Sequence, residues 1–440
     1  MNTLLRSGWR SAAIAAVLAI AGACASPPRA AEGRELVAIT NVTVIDVVAG
    51  VGHPGMTVVA DHARILSVEA GGPAPYGARR IDGAGRFLIP GLWDMHVHHQ
   101  GTGAESLPIY LANGVVGTRD MGSDADFILP LRDQLARGEV LGPRIVAAGP
   151  MLDRAPEGWP WRISVSTATE GTAAVAALAD RGVDFIKVHD HTPREAYFAI
   201  AAEARRQGLP FAGHVPGRVT IAEAAEAGQA SIEHLANNRV FTHCGDDCAA
   251  AYAQLATRGV WQTPTIAFFQ RLPDLLSGQA PPDADYASPA LLRLLEENAR
   301  AANLSPEVQT LLQAQSRQAL VAMAEMRNAG IGFLAGCDAL TPGFCLHEEL
   351  EWMTRTGMTP AEALRTATLN PALFLGRQDR EGAIAVGRRP DMVMLDADPL
   401  EDIRNTRRIA AVITDGRVWD REALDRMLGD ARARFTSEDQ

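Results

Sequence analysis

The chain is 440 residues long, carries a formal net charge of −11 and is 47% hydrophobic. That length exceeds one ordinary domain, and that hydrophobic share can bury a sizeable core. The acidic balance argues against the electrostatic footprint of a nucleic-acid binder or of a protein that coats anionic membranes.

At the start, Arg6 and Arg10 flank the entry to an apolar run, Ser11–Ile20, that is too short to span a bilayer. Residues 1–24 therefore read as a signal peptide, and two endings fit. "AGAC", Ala21–Cys24, resembles a lipoprotein signal in which Cys24 carries the lipid anchor. "ACA", Ala23–Ala25, suits ordinary cleavage before Ser26. Either ending predicts an exported protein, periplasmic or anchored to the membrane, with residues 25–35 as a tether. Export permits disulfides among Cys244, Cys248, Cys337 and Cys345. Cys244/Cys248 and Cys337/Cys345 are the natural pairs, although other connectivities are open. A tetrathiolate zinc site is the rival, and neither pair has its two-residue spacing.

Residues 36–88 read as short strands rich in Val and Ile, punctuated by Gly and Asp turns, and residues 377–425 have the same style. Neither piece can cover both of its faces alone, so the two are expected to meet in one small β-sandwich domain. Residues 426–440 read as a tail. Between the two pieces, over 89–376, apolar strands alternate with helices. Eight strands are predicted: "PGLWDMHVH", "GVVGTRDMG", "RIVAAGPML", "VDFIKVHD", "LPFAGHV", "ASIEHL", "VWQTPTIAF" and "IGFLAGCDA". The expected fold class is α/β, a TIM-like (β/α)8 barrel. The stretch from Gln270 to Asn328 is long for one unit and predicts an inserted lid-like region, with Ala280–Pro289 as its tip.

In such barrels the chemistry sits at the C-terminal ends of the strands. His96 and His98 end the first strand, on the same side because strand residues alternate. Lys187 stands in the fourth strand, His214 ends the fifth, His234 the sixth and Asp338 the eighth. Each alone has an ordinary structural reading. Together they converge as four imidazoles, a carboxylate and an amine, which is a metal-binding set. Lys187 is the odd member, because a lone ammonium in an apolar strand must be paired, neutralised or modified. His189, two residues on, shares its side. Trp161 and Arg162 in "PEGWPWR" are expected to form a substrate wall with Trp159 and a carboxylate clamp. His347 is expected to hydrogen-bond near the site. His99 points away from His98 and reads as structural, and Arg119 reads as a brace at the end of the second strand.

"PGLWDMHVHH", "FIKVHD", "AGHVPG", "SIEHLA" and "LAGCDA", with "GMTPAEALRTATLNPALFLG" and "GRRPDMVMLDADPLEDI", resemble the amidohydrolase superfamily over nearly the whole mature chain. The resemblance implies a metal-dependent hydrolase with a binuclear centre. It also implies that Lys187 is carbamylated by carbon dioxide and bridges two divalent cations; nitrogen and oxygen ligands with open positions suit zinc, and manganese, cobalt or iron could also occupy such a site. One cation would take His96, His98, Lys187 and Asp338, and the other Lys187, His214 and His234. Asp338 would move the proton of a metal-bridging hydroxide that attacks the carbonyl. The resemblance favours Xaa-Pro dipeptidase-like and N-acyl amino acid hydrolase-like members, so a small dipeptide or N-acyl amino acid amide is the expected substrate.

Two other enzymatic readings use similar residues. One is a lactone or phosphotriester hydrolase. The other is a deaminase or imidazolone-type cyclic amide hydrolase with one metal. Single-metal members place a Glu soon after the fifth-strand His, whereas His214 is followed by Val215, Pro216 and Gly217. A non-catalytic scaffold would be expected to lose ligands, and here the set is intact. Homo-oligomers are common among such barrels, and nucleic acid is not an expected partner.

Overall fold

The computed structural model describes residues 36–154, 161–234, 247–302, 305–338 and 341–437. The proposed signal peptide and tether, Cys24, Trp159 and Cys244 lie outside them. Five strands open the described chain: β1 Val37–Asp46, β2 Val51–Ala60, β3 Ile65–Ala70, β4 Arg79–Asp82 and β5 Phe87–Pro90. They share one mixed sheet with the last three, β15 Met392–Leu395, β16 Ile409–Thr414 and β17 Arg417–Asp420. The two ends of the chain meet where β5 pairs antiparallel with β15, Leu88 opposite Met394.

Strand alternation explains how this sheet buries both faces. Leu88, Met392, Met394, Ala411 and Ile413 join Val37, Ile39 and Val58 in a core built from this sheet alone. Their neighbours Ile89, Val393, Leu395 and Val412 face the other way, into the large core of the central body. The expected small β domain is thus a sheet that wraps its own core and packs its second face on the body. The stretch after residue 425 is no loose tail. It continues a helix, Arg421–Ser437, whose Ala431 and Phe435 pack on Ile109.

The central body has the predicted alternation of parallel strands and helices. β6 Leu92–Val97, β7 Val115–Asp120 and β8 Arg144–Ala147 form one parallel sheet. β9 Met151–Asp153, β10 Arg162–Ser164, β11 Ile186–Val188, β12 Phe211–Gly213, β13 Ser231–Glu233 and β14 Trp261–Thr263 form a second. The third predicted strand breaks into β8 and β9 at Gly149, where φ is 69°. β10 is a strand where a plain loop was expected.

The eighth predicted strand is not a regular one. It makes an isolated bridge, Gln262 to Phe333. Its amides and carbonyls are still used on both sides. Leu334 N–H bonds Gln262 O at 2.8 Å, and Met95 N–H bonds Ala335 O at 2.8 Å. The segment therefore lies between β14 and β6. Gly336 explains part of the irregularity, since a Cβ there would sit 2.7 Å from His96 Cβ. The long Gln270–Asn328 stretch is helical, through Ile266–Leu276, Pro289–Ala302 and Pro306–Asn328, with a short 3-10 turn at Ala284–Tyr286 in the expected tip.

Candidate metal centre

The strand ends converge as their spacing predicts. His96 lies in β6 and His98 just past it, Lys187 in the middle of β11, His214 after β12, His234 after β13 and Asp338 after the bridge segment. The His96 and His98 rings are 5.5 Å apart, His96 and His234 4.5 Å, and His214 and His234 4.7 Å. Asp338 touches three of these rings. Its Oδ1 is 3.5 Å from His98 Nε2 and 4.0 Å from His96 Nε2, and its Oδ2 is 3.8 Å from His234 Nδ1. His234 and Asp338 both hold left-handed backbone, at φ 66° and 59°. Side chains other than glycine rarely adopt that conformation, and it gathers at functional sites.

Lys187 is 1% exposed. Gly213 makes room for its stem: with φ at +131°, a Cβ there would meet Val188 O at 2.1 Å and Lys187 Cδ at 3.0 Å. Burial pulls the Lys187 ammonium down to about 8, although Glu233 and Asp338 pull the other way. Three of the rings are held neutral. Burial holds His96 and His234 well below the usual imidazole range and His98 at about 4. A neutral imidazole keeps a lone pair for a cation, which an imidazolium does not.

Beneath the rings lies a pair that the sequence reading did not single out as a unit. Glu233 Oε2 accepts from His96 Nδ1 at 2.9 Å. Arg119 Nη2 donates to both oxygens of Glu233, at 3.0 and 2.9 Å, and to Thr263 Oγ1 at 3.0 Å. Its Nη1 reaches Ser231 Oγ at 2.9 Å and its Nε reaches Met95 O at 2.7 Å. Arg119 is the expected brace, but it braces across the body to β13. Burial pushes Glu233 up, yet Arg119 and Lys187 hold its carboxyl below the ordinary value. With Nδ1–H of His96 given to Glu233, Nε2 faces the cluster with its lone pair. That atom is buried and has no hydrogen-bond partner among the described residues. A buried acceptor left open, ringed by neutral imidazoles and a carboxylate, fits a divalent cation.

A second carboxylate, Asp153 at the end of β9, organises the rim. It is fully buried. Its Oδ2 accepts from His189 Nδ1 at 3.1 Å, and its Oδ1 accepts from the amides of His191 at 2.8 Å and Arg154 at 2.9 Å. Arg162 Nε stands 3.6 Å from Oδ2. Burial pushes Asp153 up, but His189 and His191, through their hydrogen bonds and charges together, hold its carboxyl below the usual value. The His189 ring lies 4.1 Å from His214, so it shares the Lys187 side as predicted. Trp161 stacks on His98 at 6.1 Å. Asp190 Oδ1 is 3.0 Å from His214 Nδ1, and Thr265 Oγ1 is 2.8 Å from His234 Nδ1.

His347 does not join this cluster. It lies in the helix Phe344–Arg355, and its Nδ1 meets Thr406 Oγ1 at 3.0 Å, under the 3-10 turn Ile403–Arg407. The helical phase that buries Cys345 and Leu346 turns the ring that way. His99, expected to be structural, is buried and bonded through Nε2 to Thr118 Oγ1 at 2.8 Å. Cys337 and Cys345 form a disulfide, as the spacing suggested. Cys248 is also disulfide-bonded, and its expected partner Cys244 lies outside the described residues.

Known proteins resemble this chain in sequence and fold. The model of the amidohydrolase family matches residues 87–419. An ochratoxinase of Aspergillus niger is 24% identical over 380 residues, covering 72% of each chain. An imidazolonepropionase of Rubrobacter xylanophilus is 26% identical over 406 residues, covering 80% of this chain and 83% of its own. A prolidase solved with N-methylphosphonate-L-proline superposes with a TM-score of 0.70 at 22% identity, over 88% of this chain and 99% of its own.

Proposed function

We propose that this chain, which belongs to the amidohydrolase family and is a hydrolase of carbon–nitrogen bonds, cleaves the amide of a dipeptide or N-acyl amino acid using two divalent cations, zinc by preference. The observation that carries this reading is Lys187, a buried amine drawn towards neutrality among neutral imidazoles and Asp338. A neutral amine adds to carbon dioxide, giving a carbamate and a released proton. The carbamate offers two anionic oxygens where an ammonium offers none. His96, His98 and Asp338 would hold one cation with Lys187, and His214 and His234 the other. Bound there, the cations supply Lewis acidity and a water of lowered pKa.

The chain's own groups do the rest. Asp338, against three imidazoles, takes a proton through its outer oxygen and returns it to the leaving nitrogen. Glu233 fixes the tautomer of His96. Trp161, Arg162 and His189 wall the substrate side, and Arg162 and His189 are held there by Asp153.

The likeness to an imidazolonepropionase favours a second reading, a cyclic amide opened with one metal. Against it stand Lys187 in the cluster and the absence of a Glu directly after His214. A panel of N-acyl amino acids, dipeptides and imidazolone-type rings, offered to metal-loaded protein with and without a chelator, separates the two. Chelator-sensitive release of amino acid from the open-chain amides is expected. Turnover of the ring substrate alone would contradict the proposal. Export is part of the same reading: the Cys337–Cys345 disulfide suits an oxidising compartment.

A further inference from the structure

Beside the His214 wall of the centre lies a cavity of about 700 Å³ lined by Arg154, Asp190, His191, Phe198 and Arg218. It adjoins the cluster directly, because Asp190 reaches His214 and His191 stands 3.5 Å from Asp153. The backbone that carries its cationic side chains is pinned. The amides of Arg154 and His191 are both pinned to Asp153 Oδ1, which locks the loops after β9 and β11 to one buried anchor. Arg194 donates from Nη1 to the carbonyl of Arg218 at 2.9 Å, which fixes the loop after β12. Arg194 itself is engaged, with Glu223. Arg154 and Arg218 have no carboxylate partner among the described residues. Two guanidinium groups and an imidazole thus face one space next to the reacting centre, with Phe198 as an apolar wall. Asp190, which is engaged with His214, and Glu195 also line the cavity, so two carboxylates stand there beside the three arginines.

We infer that this cavity receives the amine-side half of the substrate, and that Arg154 and Arg218 bind its free carboxylate. The inference rests on the amide-hydrolase reading above and narrows it: the substrate is a peptide or acylated amino acid with an unblocked C-terminus and an apolar last side chain. Guanidinium groups suit this task because they pair with carboxylates through two parallel hydrogen bonds. A neutral carboxamide in the same place would leave them without a charged partner.

The test compares N-acetyl-L-phenylalanine with its C-terminal amide, on wild-type metal-loaded protein and on the Arg154→Ala/Arg218→Ala double variant. Wild-type protein is expected to favour the free acid about a hundredfold through KM, the scale of lost charge-assisted hydrogen bonds. The double variant should lose that preference while its rate on the amide stays within about threefold. Equal use of acid and amide by wild-type protein, or an equal loss on both in the variant, overturns the inference. Calorimetry of L-phenylalanine against L-phenylalaninamide binding separates this failure from failure of the amide-hydrolase reading. If no amide is cleaved, that reading falls. The subsite then stands only if the acid binds at least about tenfold tighter than the amide and the double variant abolishes the difference; otherwise it falls too.

Discussion

At the floor of the centre, Arg119 and Glu233 are fully enclosed and nearly every donor and acceptor they carry is used within the protein. At the rim, Asp153 is as deeply buried, but the side chains it holds, His189, His191 and Arg162, each keep part of their surface open. The same device, a carboxylate gripping cations and imidazoles, therefore serves two ends. On the floor it aims a ring nitrogen into the imidazole and carboxylate cluster. At the rim it orients groups that keep part of their surface exposed. Under the proposed reading, the floor serves the chemistry and the rim serves substrate admission.

The sharpest way to break this comparison is to remove a floor cation. Arg119→Met leaves Glu233 buried without its guanidinium, a change that costs about 3–5 kcal/mol. Thermal unfolding should drop accordingly, whereas Arg162→Met at the rim should lower stability far less. Equal losses would erase the distinction. Glu233→Gln keeps the shape of the floor but weakens its hold on His96. Metal affinity should fall about 10–100-fold, measured by competition with a chelator. An unchanged affinity would return Glu233 to a purely structural role.

At the rim, Asp153→Asn should raise KM about tenfold while metal content stays the same, because His189 and Arg162 lose their anchor but the ligands do not. Loss of metal in this variant would move Asp153 to the floor. The smallest effect is a pH dependence in metal-free, bicarbonate-free protein. Burial lowers Lys187 from 10.5 to about 8, so between these values the unfolded chain binds more protons than the folded one. Stability should rise with pH across that window. Below it the full cost of the buried ammonium is present, so Lys187→Met should be the more stable protein at pH 7 and lose its advantage by about pH 10. A gap constant with pH, in parallel urea titrations, would mean that Lys187 is solvated.

The candidate ligands were legible because each falls in or at the end of an apolar strand, and strand ends are where this architecture gathers such side chains. His96 and His98 were predicted to share a side by alternation alone, and both rings reach Asp338. The floor was not legible as a unit. Glu233 sits inside the quoted "SIEHLA", but its meaning depends on Arg119, 114 residues away. Asp153 was missed for the same reason: its partners arrive from β10 and from the loop after β11. His347 failed in the opposite direction. It was expected to hydrogen-bond near the site, and its ring meets Thr406 instead. The eighth strand was legible in place but not in form. Its glycine and its left-handed Asp338 bend the backbone to seat the carboxylate, which costs it a regular ladder.

Lys187 is the central residue of the proposed centre, and metal content per chain tests its role most directly. Elemental mass spectrometry on mature protein grown with zinc and bicarbonate should find about two metals per chain, falling sharply in Lys187→Ala. One metal per chain, unchanged by that substitution, would contradict the carbamate-bridged pair and bring the single-metal reading forward.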